Sequence, residues 1–217
     1  MKAVINWGAM SFKKKSKSRI VESEEGYDLY ASRYDESQFY LNSFEREKLF
    51  ELCDDLSGKK VLDIGAGTGR IVGEIERFGG EVTALDISEK MLKELAKKHS
   101  GMEMVKADVR NMPFKDDSFD AAFALFLIVH LKSLDEAFRE VYRVLKPGGF
   151  LMLTNINQKK APKLKTESAG EIVIASHYHM PKHVIKSLEE NLFEVEAAEK
   201  VYQDRVWINQ IIRARKI

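Results

Sequence analysis

The chain has 217 residues, 44% of them hydrophobic, enough to bury one sizeable core. Lys+Arg 35 against Asp+Glu 34 leaves a formal net charge of +1, which excludes a global field drawing the protein toward nucleic acid or a membrane surface. The single cysteine, Cys53, rules out an internal disulfide and a cysteine-based zinc site, no apolar run reaches the length of a membrane span, and a cytoplasmic protein without a leader is expected.

In chain order, residues 1–20 form a basic flexible tail carrying Lys13, Lys14, Lys15, Lys17 and Arg19. Residues 21–57 form a helical cap, because "YDLYASRYDE" and "FEREKLFELCDDL" repeat apolar residues at helical spacing; the second helix should end at Ser57-Gly58. Residues 58–217 form the core. "KKVLDIG" is a buried strand, "GRIVGEIERFG" a helix closed by Gly79-Gly80, and "EVTALDI" the next strand. Ser88 caps a helix over "EKMLKELAKKH", and "MEMVKAD" and "FDAAFALF" are strands. The helix "SLDEAFREVYRVL" stops at Lys146-Pro147-Gly148-Gly149 before the strand "FLMLTNI". A polar loop then runs to Met180, Pro181 opens a helix to about Asn191, and "FEVEAAEKVYQ" and "RVWINQIIRARK" form a closing antiparallel pair. Strands separated by helices of this length imply an α/β fold with a parallel sheet and right-handed crossovers.

Ligands of such sheets sit beyond the carboxyl ends of the strands. Gly65, Gly67 and Gly69 lie at the first of those ends, where backbone without Cβ atoms turns sharply and approaches a ligand closely. The spacing is not that of a dinucleotide site, since Arg70 stands where G-x-G-x-x-G needs its last glycine. Asp63 just ahead of the turn would oppose a pyrophosphate and suits a cation. Together with Asp86 at the end of the second strand, placed for a vicinal diol, it points to a ligand with ammonium and sulfonium charges beside a ribose: S-adenosylmethionine.

The blocks "VLDIGAGTGR", "VTALDISEKML", "VKADVRNMPFKDDSFDAAFALFLIVHL" and "EVYRVLKPGGFLML" occur in that order between Lys59 and Thr154, and together they resemble the class I S-adenosylmethionine-dependent methyltransferases. The resemblance implies a Rossmann-like, seven-stranded, mostly parallel sheet with a reversed last strand and helices on both faces. It implies that Asp63 and the Gly65, Ala66, Gly67, Gly69 loop hold the methionine end. By the same resemblance Asp86 takes the ribose hydroxyls, Ile87 packs on the adenine, Asp108 and the Val109 amide read its edge, and Leu125 borders the methyl group.

Methyl transfer asks for positioning and exclusion of water more than covalent chemistry, and an acidic acceptor would be helped by a base near neutrality. His130 after the fourth strand, and His177 and His179 around Tyr178, are the candidates; the alternative is a packed or capping His130 and a half-exposed loop. His99 and His183 fall on helices and are expected at the surface. No metal site is expected. Tyr27, Tyr30, Tyr34 and Phe39 can form an aromatic lid, with Tyr27 and Tyr34 the candidates for substrate contact, or can simply be core. Lys159, Lys160, Lys163 and Lys165 can draw an anionic acceptor or an RNA backbone, or be a solvated loop. The expected partner is a small organic acceptor, anionic ones included, as in quinone-biosynthesis and carboxyl methyltransferases, with no nucleic acid and no membrane, in a monomer or homodimer. RNA-base or protein methylation, and a catalytically silent cofactor-binding subunit, are the alternative readings; a nicotinamide dehydrogenase is disfavoured by Arg70.

Overall fold

The computed structural model of this chain describes residues 18–37, 41–42 and 45–217. Lys13, Lys14, Lys15, Lys17 and Phe39 lie outside the described residues. Strand β1 (Arg19–Val21), helix α1 (Ser23–Tyr30), a 3-10 segment (Ala31–Ser37) and α2 (Arg46–Glu51) come first. Strand and helix then alternate through β2 (Lys60–Ile64), α3 (Val72–Arg77), β3 (Glu81–Asp86), α4 (Glu89–Lys98), β4 (Glu103–Lys106), β5 (Phe119–Ala124) and α5 (Asp135–Val144). The chain closes with β6 (Leu145–Ile156), β7 (Leu164–Lys165), β8 (Glu171–Ile174), α6 (Pro181–Glu190), β9 (Phe193–Gln203) and β10 (Val206–Lys216).

The main sheet has seven strands in the order β4-β3-β2-β5-β6-β10-β9. β4, β3, β2, β5 and β6 are parallel, and β10 enters antiparallel between β6 and β9, so the last strand is reversed. Alternate residues of each central strand face opposite ways, which is why both faces must be covered. Leu62, Ala122 and Leu151 pack with Phe138 and Val141 of α5 and Val184 and Leu188 of α6. Val61, Phe123 and Phe150 pack on the other side with Ile75 of α3 and Leu49 of α2. Among the described residues no helix is long and apolar enough to cross a membrane.

The structure corrects two expectations. The second cap helix ends at Glu51, short of Ser57, because the aspartates after it find better partners off the helix. Asp55 accepts bonds from the Ser57 amide and hydroxyl at 3.1 and 2.7 Å, and Asp54 pairs with Arg213 of β10 at 2.6 Å. The segment after β6 is not all polar loop. β7 and β8 lie in it, and β8 pairs in parallel with β1, Val21 opposite Ile174, in a separate three-stranded sheet. Strand β1 straddles the boundary drawn at residue 20 between tail and cap.

Helix α1 lies against this small sheet through Gly26, where a Cβ would come within 2.6 Å of Ile174 Cγ1. Gly26→Val should therefore push α1 off β8 and lower stability by about 1–3 kcal/mol, the usual cost of overpacking. Thermal unfolding, with hydrogen exchange of the Glu171–Ile174 amides, measures it; an unchanged midpoint and unchanged protection would show that the helix does not dock this closely.

Candidate functional site

The turn after β2 is shaped by backbone that only glycine adopts freely: Gly65 and Gly67 have φ of +72° and +56°. The Gly65 and Ala66 amides both donate to the Leu85 carbonyl of β3, at 2.7 and 3.1 Å. The Gly67 amide donates to Asp86 Oδ2 at 2.8 Å, and the Ser88 amide donates to Asp86 Oδ1 at 2.8 Å. The loop is thus stitched to the end of the neighbouring strand. Gly69 serves packing, since a Cβ there would lie 3.1 Å from Leu95 of α4.

A cavity of about 840 Å³ opens over this turn. Gly65, Gly67, Asp86, Ile87, Asp108, Val109 and Leu125 line it, together with Tyr27, Tyr34, His130 and His177. Asp63, Ala66 and Gly69 do not; Asp63 is 3% exposed, behind the wall. The wall carries Glu22, Glu24, Asp86, Asp108 and Glu136 against the cations Arg110 and Lys132. Burial pushes the Asp86 carboxyl up to about 6, with the Ser88 and Gly67 amides pulling the other way. Burial likewise pushes Asp63 up to about 7, the nearby Arg70 opposing it and Asp86 adding to it. Asp63 Oδ2 has no hydrogen-bond partner among the described residues. A buried carboxyl without a partner, beside a wall with an excess of acids, fits a cationic ligand and opposes an anionic one. Asp108 is already engaged, its oxygens accepting from the Arg110 guanidinium and amide at the cavity rim, which holds it below the usual carboxylate range.

The cap reaches the same loop through polar latches that the sequence pattern does not announce. Asp28 of α1 accepts from the Ser88 hydroxyl at 2.6 Å, and Asp35 accepts from the Thr68 hydroxyl at 2.5 Å. Arg70 pairs with Glu45, both nearly inaccessible at 8% and 0% side-chain exposure, and its guanidinium lies 5.0 Å from the Phe126 ring centre. Despite that partner, burial leaves the Glu45 carboxyl above its ordinary value. Arg70, whose presence breaks the dinucleotide pattern, was the one signal of this anchor in the sequence.

His130 sits at the end of a short 3-10 turn after β5. Its Nδ1 lies 3.1 Å from the Ala175 carbonyl, which can only accept, so Nδ1 carries the proton and Nε2 is free to accept. The Tyr27 hydroxyl donates to that Nε2 at 2.7 Å. Burial lowers the His130 pKa, the Ala175 carbonyl opposing, and raises that of Tyr27 well above the ordinary phenol value, so both are neutral near pH 7. His177 reaches the cavity, its amide held by the Val129 carbonyl at 2.7 Å. His179 and Tyr178 do not. His179 Nε2 donates to the Ile128 and Leu131 carbonyls at 3.0 and 2.8 Å, pinning the His130 turn, and Tyr178 is 39% exposed against Trp207. A second cavity of about 610 Å³ adjoins the first, and Tyr27, Tyr34, Phe126 and His130 line both. Among the described residues no group of three His, Cys, Asp or Glu side chains is placed to hold a metal.

A doubly covered, mostly parallel sheet with a reversed last strand, and a glycine turn bonded to the acid ending the next strand, defines a Rossmann-like domain of the methyltransferase class. A family model described as a methyltransferase domain matches residues 62–153. The chain is 32% identical over 144 residues to a demethylmenaquinone methyltransferase of Corynebacterium kroppenstedtii, covering 64% of this chain and 62% of that one. It is 31% identical over 161 residues to a malonyl-[acyl-carrier protein] O-methyltransferase of a Marinomonas species, covering 72% and 57%. The chain thus spans about three fifths of the length of these relatives. The crystal structure of an S-adenosylmethionine-dependent methyltransferase from Aquifex aeolicus superposes with a TM-score of 0.68 at 20% identity, over 91% of this chain and 100% of that one. Residues 62–153 thus match the methyltransferase domain family, and the fold is that of the S-adenosylmethionine-dependent methyltransferases.

The raised Asp63 carboxyl has a consequence for stability. Unfolded, the group ionises near 3.8; folded, only near 7, so between these values the native state binds more protons and unfolding becomes easier as pH rises. Asp63→Asn should therefore be more stable than the parent at pH 8, by on the order of 2 kcal/mol, and no more stable at pH 4. Urea denaturation at the two pH values measures the difference; equal stability at pH 8 would mean that Asp63 ionises without penalty.

Proposed function

We propose that this chain transfers the methyl group of S-adenosylmethionine to a small organic acceptor by in-line displacement. The observation that carries the reading is the shared partition: one acid-rich cavity over the glycine turn and a second cavity beside it, with Tyr27, Tyr34, Phe126 and His130 lining both. When bound, S-adenosylmethionine supplies an electrophilic methyl on a sulfonium. In this reading Gly65 and Gly67 of the turn hold the charged amino-acid end, Asp63 acts on it through its charge from behind the wall, and Asp86 keeps lone pairs for a ribose diol beyond the bonds it accepts from Gly67 and Ser88. Ile87, Asp108, Val109 and Leu125 line the remainder of that cavity, which fits them to the adenine and the methyl group. The aromatic side chains of the partition exclude water from the line of attack. His130, neutral with Nε2 facing Tyr27, is the group able to take a proton from an acceptor hydroxyl, Tyr27 giving way. The relatives' names, a demethylmenaquinone and a malonyl-[acyl-carrier protein] O-methyltransferase, favour an acceptor of the small-molecule kind.

Calorimetry with S-adenosylhomocysteine tests the donor half: Asp86→Ala should weaken binding by about 2 kcal/mol, roughly thirty-fold, by leaving the ligand's hydroxyls and the Gly67 amide unpaired. Unchanged affinity would remove Asp86 from the site, and preferential binding of NAD would overturn the cofactor assignment. Transfer of labelled methyl into a small-molecule extract tests the acceptor half. His130→Ala should lower its rate by about a hundred-fold with S-adenosylhomocysteine affinity unchanged and the fall in rate on the acid side of neutrality lost, an outcome a merely packed histidine would not give.

A further inference from the structure

The two cavities differ in charge. Beside the acid-rich first cavity, the second has no aspartate or glutamate among its described lining residues, and Lys159 and Lys160 stand on its wall. Both lysines are exposed, and neither has an ion pair among the described residues; Lys159 has only the Tyr178 ring, 5.8 Å from its Nζ. The rest of the wall is largely apolar, with Ile156, Ile174 and Ile208 among its residues. Asn157 breaks this surface. Its Nδ2 donates to the Trp207 carbonyl at 2.7 Å, and its Oδ1 is buried without a partner among the described residues.

We infer that the second cavity is built for an apolar-bodied organic acid, its anionic end at Lys159 and Lys160 and its opposite end at His130. The inference rests on the reading of that cavity as the acceptor pocket and adds the class of acceptor. The lysines line only the second cavity, whereas His130 lies on the partition, so an anion seated at the lysines presents its far end toward the first cavity. The aliphatic wall takes the body, whose burial supplies the non-directional part of the affinity. Opposite charge in the two cavities sorts the two ligands: a cation is drawn to the acids and repelled by the lysines, and an anion the reverse. A neutral acceptor would leave Lys159 and Lys160 without a role.

The test uses the full chain saturated with S-adenosylhomocysteine and two matched pairs of probes, 6-hydroxy-2-naphthoate with its carboxamide and 4-hydroxycinnamate with its carboxamide, titrated by fluorescence at low ionic strength. At least one acid should bind about ten-fold or more tightly than its amide, a preference that falls with added salt. In Lys159→Gln/Lys160→Gln the acid and amide should bind alike, with S-adenosylhomocysteine affinity retained. Equal binding of acid and amide in both pairs, no binding of any probe, or a preference that survives the double substitution would each overturn the inference. Prior calorimetry separates the two failures. A chain that does not bind S-adenosylhomocysteine sinks the methyl-transfer reading, whereas one that binds it and ignores the acid sinks only the acceptor class.

Discussion

The hydrogen bond from the Gly67 amide to the Asp86 carboxylate, 2.8 Å long, ties the glycine turn after β2 to the end of β3, and the site is organised around it. It forms only because the parallel register sets Asp63 opposite Ala84 and Ile64 opposite Leu85, so that two residues further on Asp86 stands beside the turn. It also requires left-handed backbone at Gly65 and Gly67, which a side chain would resist. The result is two carboxyl groups buried at neighbouring strand ends, both pushed up in pKa by their burial. Such an arrangement is unfavourable by itself, and a cationic ligand relieves it.

The cap is fastened to that same turn. Asp35 bonds Thr68 inside the loop, Asp28 bonds Ser88 two residues past Asp86, and Glu45 pairs with Arg70 directly after the loop. The Tyr34 ring lies where a Cβ on Gly67 would meet it at 3.9 Å, so the cap rests on bare backbone. These contacts differ in weight. Half-exposed pairs such as Lys98 with Asp35 contribute little, about 0–1 kcal/mol. The buried Arg70–Glu45 pair is costly to break, about 3–5 kcal/mol, although forming it gains little over apolar packing. Its value is geometric: the Arg70 guanidinium that acts on Asp63 is held by the cap, so the seating of the cap bears on the field felt by the buried acid.

The core was legible because its signals are local. Each strand from "KVLDI" to "RVWINQIIRARK" is an apolar run bounded by glycine or a capping residue, and Ser88 caps α4 as expected, its hydroxyl accepting from the Met91 amide at 3.1 Å. The positions at strand ends followed, and Asp86, Ile87, Asp108, Val109 and Leu125 do line one cavity. What escaped depends on partners far apart in the chain. β1 pairs with β8 across some 150 positions, and neither three nor four residues make a strand signal alone. Tyr178 turns away from His177 because alternation along an extended segment sends neighbours to different sides, and His179, two residues on, is drawn off by the distant Ile128 and Leu131 carbonyls. The helix expected through Leu56 gave way at Glu51 to aspartates whose partners are a turn and a distant strand.

The small sheet that sequence periodicity could not supply is also what brings His130 to its place. Ala175, the residue after β8, donates its amide to the Val21 carbonyl of β1 at 2.8 Å and offers its own carbonyl to His130 Nδ1 at 3.1 Å. That carbonyl fixes the tautomer, and the tautomer leaves Nε2 as the acceptor. Strand β1 runs directly into α1, which carries Tyr27 to the other side of the same ring, edge-on at 5.2 Å between centres. Two further carbonyl contacts from His179 hold the turn on which His130 rides. Every group that sets the protonation and orientation of His130 therefore comes from the cap or from the segment after β6, and none from the glycine turn. In the proposed reading the donor half of the site is built by the sheet and the acceptor half by what is added to it, so that the first can be shared while the second is free to change.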